Sequence, residues 1–64
     1  MSELLNERLK NSIGKNAKIF LHNGFRYEGK ITNCDEKFVE VLDFKTNAYQ
    51  IIELEEIKDA EVEQ

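Results

Sequence analysis

The chain of 64 residues contains no proline, no tryptophan, one cysteine and one histidine. The single Cys34 cannot form an internal disulfide, and Cys34 with His22 cannot supply the three or four ligands of a zinc site. Disulfides and structural metals, two usual supports of a domain this small, are therefore excluded. We expect no metal and no cofactor, which leaves self-association as the expected support.

The chain also lacks long apolar runs and catalytic motifs. No apolar run approaches the roughly 18 residues of a membrane-spanning helix, and the first residues lack the basic start and apolar stretch of a signal peptide. The three glycines are scattered and do not form a phosphate-binding loop. No second histidine is present to activate Cys34 as a nucleophile. We therefore expect a cytoplasmic protein that is not an enzyme and does not enter a membrane.

The net charge of −4 at pH 7 is unevenly distributed. Residues 1–31 carry six basic and three acidic side chains, whereas residues 32–64 carry three basic and ten acidic ones. We expect a polyanion such as RNA to bind the first half of the chain and a basic protein to bind the second half. The alternative is that these charges only keep the surface of a small protein solvated.

A short amphipathic helix is predicted over residues 3–13. Leu5, Leu9 and Ile13 recur at spacings of four and would share one face. Gly14 suits the left-handed position just beyond a helix end. A helix of about three turns is not stable alone, so its leucine face must pack against the rest of the chain.

From residue 17 onward the apolar period changes from 3.6 to 2, which predicts five short antiparallel strands. The dipeptide Asn23-Gly24 predicts a two-residue hairpin turn with positive backbone angles. Gly29 lies inside the second strand and indicates a sharp bend or a close backbone approach, which lets a sheet curl. The third strand is partly apolar on both faces, as is typical of a strand covered on both sides, and so is the fourth. The predicted strands span residues 17–22, 25–32, 38–44, 48–54 and 57–62.

The predicted fold is thus mostly β with one N-terminal helix, in a single domain covering residues 1–64. The sheet has five antiparallel strands and is bent strongly enough to form a small open barrel. This order of elements fits SH3-like, OB-like and Sm-like barrels. Local residues favour the last of these.

The segment of residues 22–43 resembles the first motif of the Sm/LSm/Hfq family. That motif consists of an Asn-Gly turn, a glycine five residues later and an aspartate before a hydrophobic strand, which are Asn23-Gly24, Gly29 and Asp35 here. Residues 51–57 stand where the second motif is expected and retain little of it. The resemblance implies an Sm-like ring in which the fourth strand of one subunit pairs with the fifth strand of the next.

A ring also agrees with the small size of the chain, because a domain of this length has a limited core and sheet edges that need cover. The alternative is a monomer whose edges are protected by charged side chains, namely Glu53, Glu55, Lys58 and Glu61. The residues that we predict at the subunit interface are Tyr49, Ile51, Ile52, Leu54, Ile57 and Val62.

The resemblance further implies a uracil pocket, but this sequence departs from it. Val39 replaces the asparagine, and Glu53 and Leu54 replace the arginine and glycine. Valine cannot hydrogen-bond a base edge, and Glu53 would repel phosphate. The Lys-His pair of Hfq-type members is also missing, whereas Lys37 stands where a side chain usually stacks on the base. We therefore expect RNA contacts displaced from the usual pocket, at Lys37, Asp35, Phe38, Arg8, Lys10 and Lys15.

Two functions remain open from the sequence. The first is a homo-oligomeric ring that binds RNA through these displaced contacts. The second is an Sm-fold assembly or protein-interaction module that does not bind RNA and whose acidic half engages a basic protein partner. Most relatives of the family bind RNA, which favours the first by analogy of fold alone.

Overall fold

One helix and five antiparallel strands in a single sheet make up the computed structural model, which describes residues 3–63. This architecture confirms the predicted fold class, and the sheet remains open. A short 3-10 turn, Leu54–Glu56, connects the last two strands. The elements are α1 (Glu3–Lys10), β1 (Asn16–Leu21), β2 (Arg26–Cys34), β3 (Phe38–Asp43), β4 (Ala48–Glu53) and β5 (Ile57–Val62).

The strand order across the sheet is β4-β3-β2-β1-β5. Each neighbouring pair is antiparallel. Within residues 3–63, β4 and β5 are therefore paired on one side only. These two strands form the two edges of the sheet.

The core is one cluster to which the helix and all five strands contribute. Ile52 of β4 and Ala60 of β5 belong to this cluster, so both edge strands of the sheet contribute to one core. The buried apolar residues are Leu9, Ala17, Ile19, Leu21, Ile31, Val39, Val41, Ile52, Leu54, Ile57 and Ala60.

Gly29 lies where β2 passes from one partner strand to the other. Residues 26–30 of β2 pair with β1, and residues from 29 onward pair with β3. A Cβ atom at Gly29 would collide with the carbonyl oxygen of Leu42 and would lie 2.7 Å from Cγ1 of Val41. The predicted close approach of the backbone at this glycine is thus confirmed.

A β-bulge at Thr32 extends β2 beyond its predicted end. The register of β2 against β3 shifts at this residue. The Thr32 hydroxyl donates a hydrogen bond of 2.8 Å to the carboxylate of Glu40 and lies 3.1 Å from the carbonyl oxygen of the same residue. Because of the extra residue, Cys34 packs against the core on the same side as Ile31.

The helix is three residues shorter than predicted. It ends at Lys10, and Ile13, which the spacing placed on the buried face, is 48% exposed. The cause is the connection to the sheet, because Gly14 has φ +93° and donates its amide hydrogen to the carbonyl oxygen of Ile31 at 2.7 Å. The chain therefore leaves the helix before another turn forms, and Leu9 is the fully buried member of the predicted stripe.

The first hairpin turn is longer than predicted. β1 ends at Leu21 and β2 begins at Arg26, and in this turn only Gly24 has a positive φ. The amide of Gly24 donates to the carbonyl oxygen of Leu21 at 3.1 Å, and the side-chain oxygen of Asn23 accepts the amide of Phe25 at 3.0 Å. This is a turn closed by a left-handed glycine, whereas the predicted two-residue turn needs two positive φ angles.

Within one chain, β3 is covered on one face only, so the predicted cover on both faces is wrong. Val39 and Val41 are buried, whereas Phe38 on the other face is 40% exposed. The same contrast occurs in β4, where Ile52 is buried and Ile51 is 67% exposed. Both strands also end one residue earlier than predicted.

Candidate nucleic-acid interface

The turn between β2 and β3 is built around Asp35. Its carboxylate accepts the backbone amide hydrogens of Phe38 at 2.7 Å and Lys37 at 2.8 Å. These two hydrogen bonds are the main reason why the pKa of Asp35 is lowered, and the positive charges of Lys10 and Lys37 lower it further. The anionic side chain thus fixes the conformation of the turn that carries Lys37.

The helix is attached to this turn. The side-chain amide of Asn6 donates a hydrogen bond of 2.7 Å to the carbonyl oxygen of Asp35. Lys10 is one helical turn further along the same side, close enough to act on the pKa values of Cys34 and Asp35. The structure therefore brings two of the predicted cations, Lys10 and Lys37, to the same turn.

Arg8 and Lys15 lie elsewhere. Arg8 lines a groove on the opposite flank of α1, beside His22 and Lys58. Lys15 follows the helix, and its carbonyl oxygen accepts the amide of Ile31 at 2.9 Å. The basic residues of the helix that we predicted as RNA contacts, Arg8 and Lys10, thus lie on two different flanks, because residues two positions apart on a helix point in different directions.

Lys37 also faces a cleft of about 270 Å³ that is rich in carboxylates. The amide of Leu54 donates to the carbonyl oxygen of Lys37 at 2.8 Å, which holds the β2–β3 turn against the β4–β5 turn. Opposite a single lysine, three glutamates give the cleft a negative balance that opposes phosphate binding. Its lining comprises Glu36, Lys37, Phe38, Glu53, Leu54 and Glu55.

A smaller cleft of about 180 Å³ lies on the other side of Phe38 and includes Cys34 and Ile51. Burial is the main cause of the raised pKa of the Cys34 thiol, and the charge of Asp35 adds to it. A thiol with a raised pKa stays protonated at neutral pH and is a weak nucleophile. The geometry around Cys34 therefore favours a packing role for this side chain.

The predicted interface residues fall into two groups. The first group lies in the core of the single chain and consists of Ile52, Leu54 and Ile57. The second is exposed or half-buried at the two sheet edges and consists of Tyr49, Ile51 and Val62. Only the second group has side-chain surface available to another subunit, and the interface itself stays a prediction.

The structure also reveals surface features that sequence reasoning missed. Asn6, which ties the helix to the β2–β3 turn, carries no signal in the sequence pattern. Phe25 is 67% exposed and Phe44 is 55% exposed, and both line a groove of about 480 Å³. The strand pattern placed both residues inside strands, whereas each lies just outside one.

No family model and no curated protein matches this sequence. Among residues 3–63, the metal-binding side-chain types do not form a group of three that could hold an ion. In the same part of the chain, no helix has the length and apolar character needed to cross a bilayer.

Proposed function

We propose that this protein is an Sm-like subunit of the cytoplasm that assembles into a homo-oligomeric ring and binds RNA. The observation that carries the proposal is the strand order, which leaves β4 and β5 at opposite edges of one sheet. These are the two strands that such a ring joins between neighbouring subunits. An open edge is a template for pairing with another chain.

The outer face of the β3–β4 hairpin supports assembly. Leu42 lies opposite Tyr49 in the register of the two strands, and Ile51 lies two residues further along β4. Tyr49 and Ile51 are 63% and 67% exposed. Neighbouring apolar side chains on a monomer surface are typical of a site that a partner covers.

The position of Lys10 and Lys37 supports RNA binding. Both lie beside the β2–β3 turn, and a ring would repeat this pair once per subunit. Each phosphate that such cations neutralise releases counterions and adds affinity that falls as salt is added. The acidic cleft next to Lys37 disfavours phosphate, so we expect the RNA contacts on the helix side rather than in the usual uracil pocket.

A fluorescence anisotropy titration with short oligo-U and oligo-A at two salt concentrations tests RNA binding. We expect affinity that weakens with salt and that falls in Lys10→Ala and Lys37→Ala, with a smaller salt slope in each variant. Lys45→Ala is the matched control, since Lys45 lies in the β3–β4 turn at the other end of β3. Absence of binding at low salt, or an equal loss in the control, would contradict the proposal.

A second candidate function is an assembly module that engages a basic protein instead of RNA. The specific observation in its favour is the cleft in which Glu36, Glu53 and Glu55 surround one lysine. The same titration with a Lys- and Arg-rich peptide distinguishes the two functions. Peptide binding that is lost in Glu36→Gln and Glu55→Gln, without RNA binding by the wild type, would favour the second function.

A further inference from the structure

A groove of about 490 Å³ runs between α1 and the beginning of β5. Its apolar part includes Leu4, which is 78% exposed, and Ile57, which is buried in the core. Arg8 of the helix and Lys58 of β5 are its cations. The other lining residues are Leu5, His22, Glu55 and Asp59.

The groove borders the edge at which β5 would receive another strand. Each pair of neighbouring strands in this sheet is antiparallel. If an incoming β4 pairs in the same sense, its last residue, Glu53, comes beside the first residues of β5, Ile57 and Lys58. The carboxylate thereby reaches the cationic part of the groove.

Glu53, Arg8 and Lys58 form no ion pair with any side chain of residues 4–63. Among these side chains, the one ion pair joins Arg26 to Glu28 at 3.5 Å. All three are exposed. Each of them is thus available to a second copy.

We infer that Glu53 of one subunit forms an ion pair with Lys58 and Arg8 of the next and closes the groove between α1 and β5. This inference rests on the ring proposed above and names the contact that aligns its subunits. It also gives a role to the glutamate that stands where the resemblance implies an RNA-binding arginine. Glu53 would then stabilise the ring, at a position where its negative charge would repel an RNA phosphate.

Strand pairing is what makes the contact favourable. The groove carries Glu55 and Asp59 as well as Arg8 and Lys58, so its overall charge does not attract a carboxylate. An incoming β4 that pairs antiparallel along the whole of β5 would place Glu53 next to Lys58, and the same closure would remove water from the pair. Removing water strengthens the attraction between the two charges and also costs their hydration, so a charge left there without its partner is costly. The ion pair therefore favours the alignment of β4 on β5 that brings Glu53 beside Lys58, and it favours this partner over others.

Charge exchange tests the inference. Glu53→Lys should raise the subunit concentration at which the ring dissociates roughly tenfold or more. Combining it with Lys58→Glu or with Arg8→Glu should restore assembly toward that of the wild type. The readout is the mass by sedimentation velocity over a dilution series, with circular dichroism to show that each variant is folded.

Glu36→Lys is the matched control, because it makes the same charge change in the same acidic cleft but on the β2–β3 turn. A ring that dissociates equally in Glu53→Lys and Glu36→Lys would overturn the inference and leave the ring standing. Loss in Glu53→Lys without rescue by either second change would overturn it as well. A monomeric wild type would overturn the proposed ring itself, and the inference with it.

Discussion

The two hairpins of the sheet present opposite kinds of outer face. On the β1–β2 hairpin the exposed outward side chains are polar, and most of them are charged, namely Lys18, Arg26, Glu28 and Lys30. On the β3–β4 hairpin the exposed outward side chains include Phe38, Tyr49 and Ile51. Both hairpins contribute buried residues to the same core, so the difference lies in what each presents to the outside.

This difference indicates which surface a partner would cover. The charged face is stable in water as it stands, and its Arg26–Glu28 ion pair, being exposed, contributes little to stability. The apolar face leaves large side chains in contact with water at the very strand that forms a sheet edge. The second hairpin is therefore where we expect the next subunit to bind.

The largest loss of stability is expected when a side chain on the buried face of β4 is truncated. Ile52 is buried in the core, so Ile52→Ala should lower the free energy of unfolding by about 2–5 kcal/mol. Ile51→Ala removes the same atoms from the exposed face and should weaken self-association while leaving the isolated subunit nearly as stable. Urea unfolding of dissociated protein, together with the mass of each variant, measures both effects. Equal destabilisation by the two changes would contradict the division of β4 into inner and outer faces.

The junction between the hairpins is tested at Gly29, which pairs with both β1 and β3. Gly29→Ala places a methyl group against the Leu42 carbonyl and the Val41 side chain, and we expect a loss of about 1–3 kcal/mol of unfolding free energy. The exposed neighbour Lys30 supplies the control, since Lys30→Ala should change stability by less than about 0.5 kcal/mol. Chemical denaturation of both variants measures these changes in stability. An unchanged midpoint for Gly29→Ala would contradict the expected loss and would show that β3 moves to make room for the methyl group.

The turns of the two hairpins differ in the residue that takes positive φ. Gly24 has φ +93° in the first, and Asn47 has φ +57° in the second. Gly24→Ala should cost about 1–2 kcal/mol, because a left-handed conformation is unfavourable for a residue with a Cβ atom. Asn47→Gly should change stability by only a few tenths of a kcal/mol, since asparagine tolerates that region and glycine does too. Thermal unfolding of both variants measures the two losses of stability. A larger loss in Asn47→Gly than in Gly24→Ala would contradict this expectation.

The smallest effect is expected at the turn that links the hairpins. Because the pKa of Asp35 is lowered in the folded chain, its stabilising contribution is present above its ordinary value of 3.8 and is lost as the pH falls through the folded value. Asp35→Asn should therefore reduce the dependence of the urea midpoint on pH below 3.8. Glu36→Gln, at the exposed neighbour, is the control that should retain this dependence. An identical pH profile for Asp35→Asn and wild type would contradict the role of the carboxylate in the turn.

The features that sequence reasoning predicted correctly depend on local patterns. Strict alternation in β1 places Ala17, Ile19 and Leu21 in the core, where the structure has them. The isolated Gly29 marks the close approach of two backbones. Each of these follows from the residue itself or from its immediate neighbours.

The features that it missed depend on contacts between distant residues. The bulge at Thr32 is accompanied by a hydrogen bond to Glu40 on the next strand, and the early end of the helix depends on the bond between Gly14 and Ile31. No pattern within either segment reveals these bonds. At the candidate site, Asp35 shapes its turn by accepting two backbone amide hydrogens, and its predicted contact with RNA stays a prediction.

The ring is the claim on which the proposed function and the further inference rest. The most direct test is the mass of the wild-type protein by light scattering over a dilution series. The account predicts a mass that is a fixed multiple of the 7.5 kDa subunit and stays constant until dissociation sets in on dilution. A mass of 7.5 kDa at every concentration would contradict it, because the apolar face and open edges of β4 and β5 would then remain uncovered.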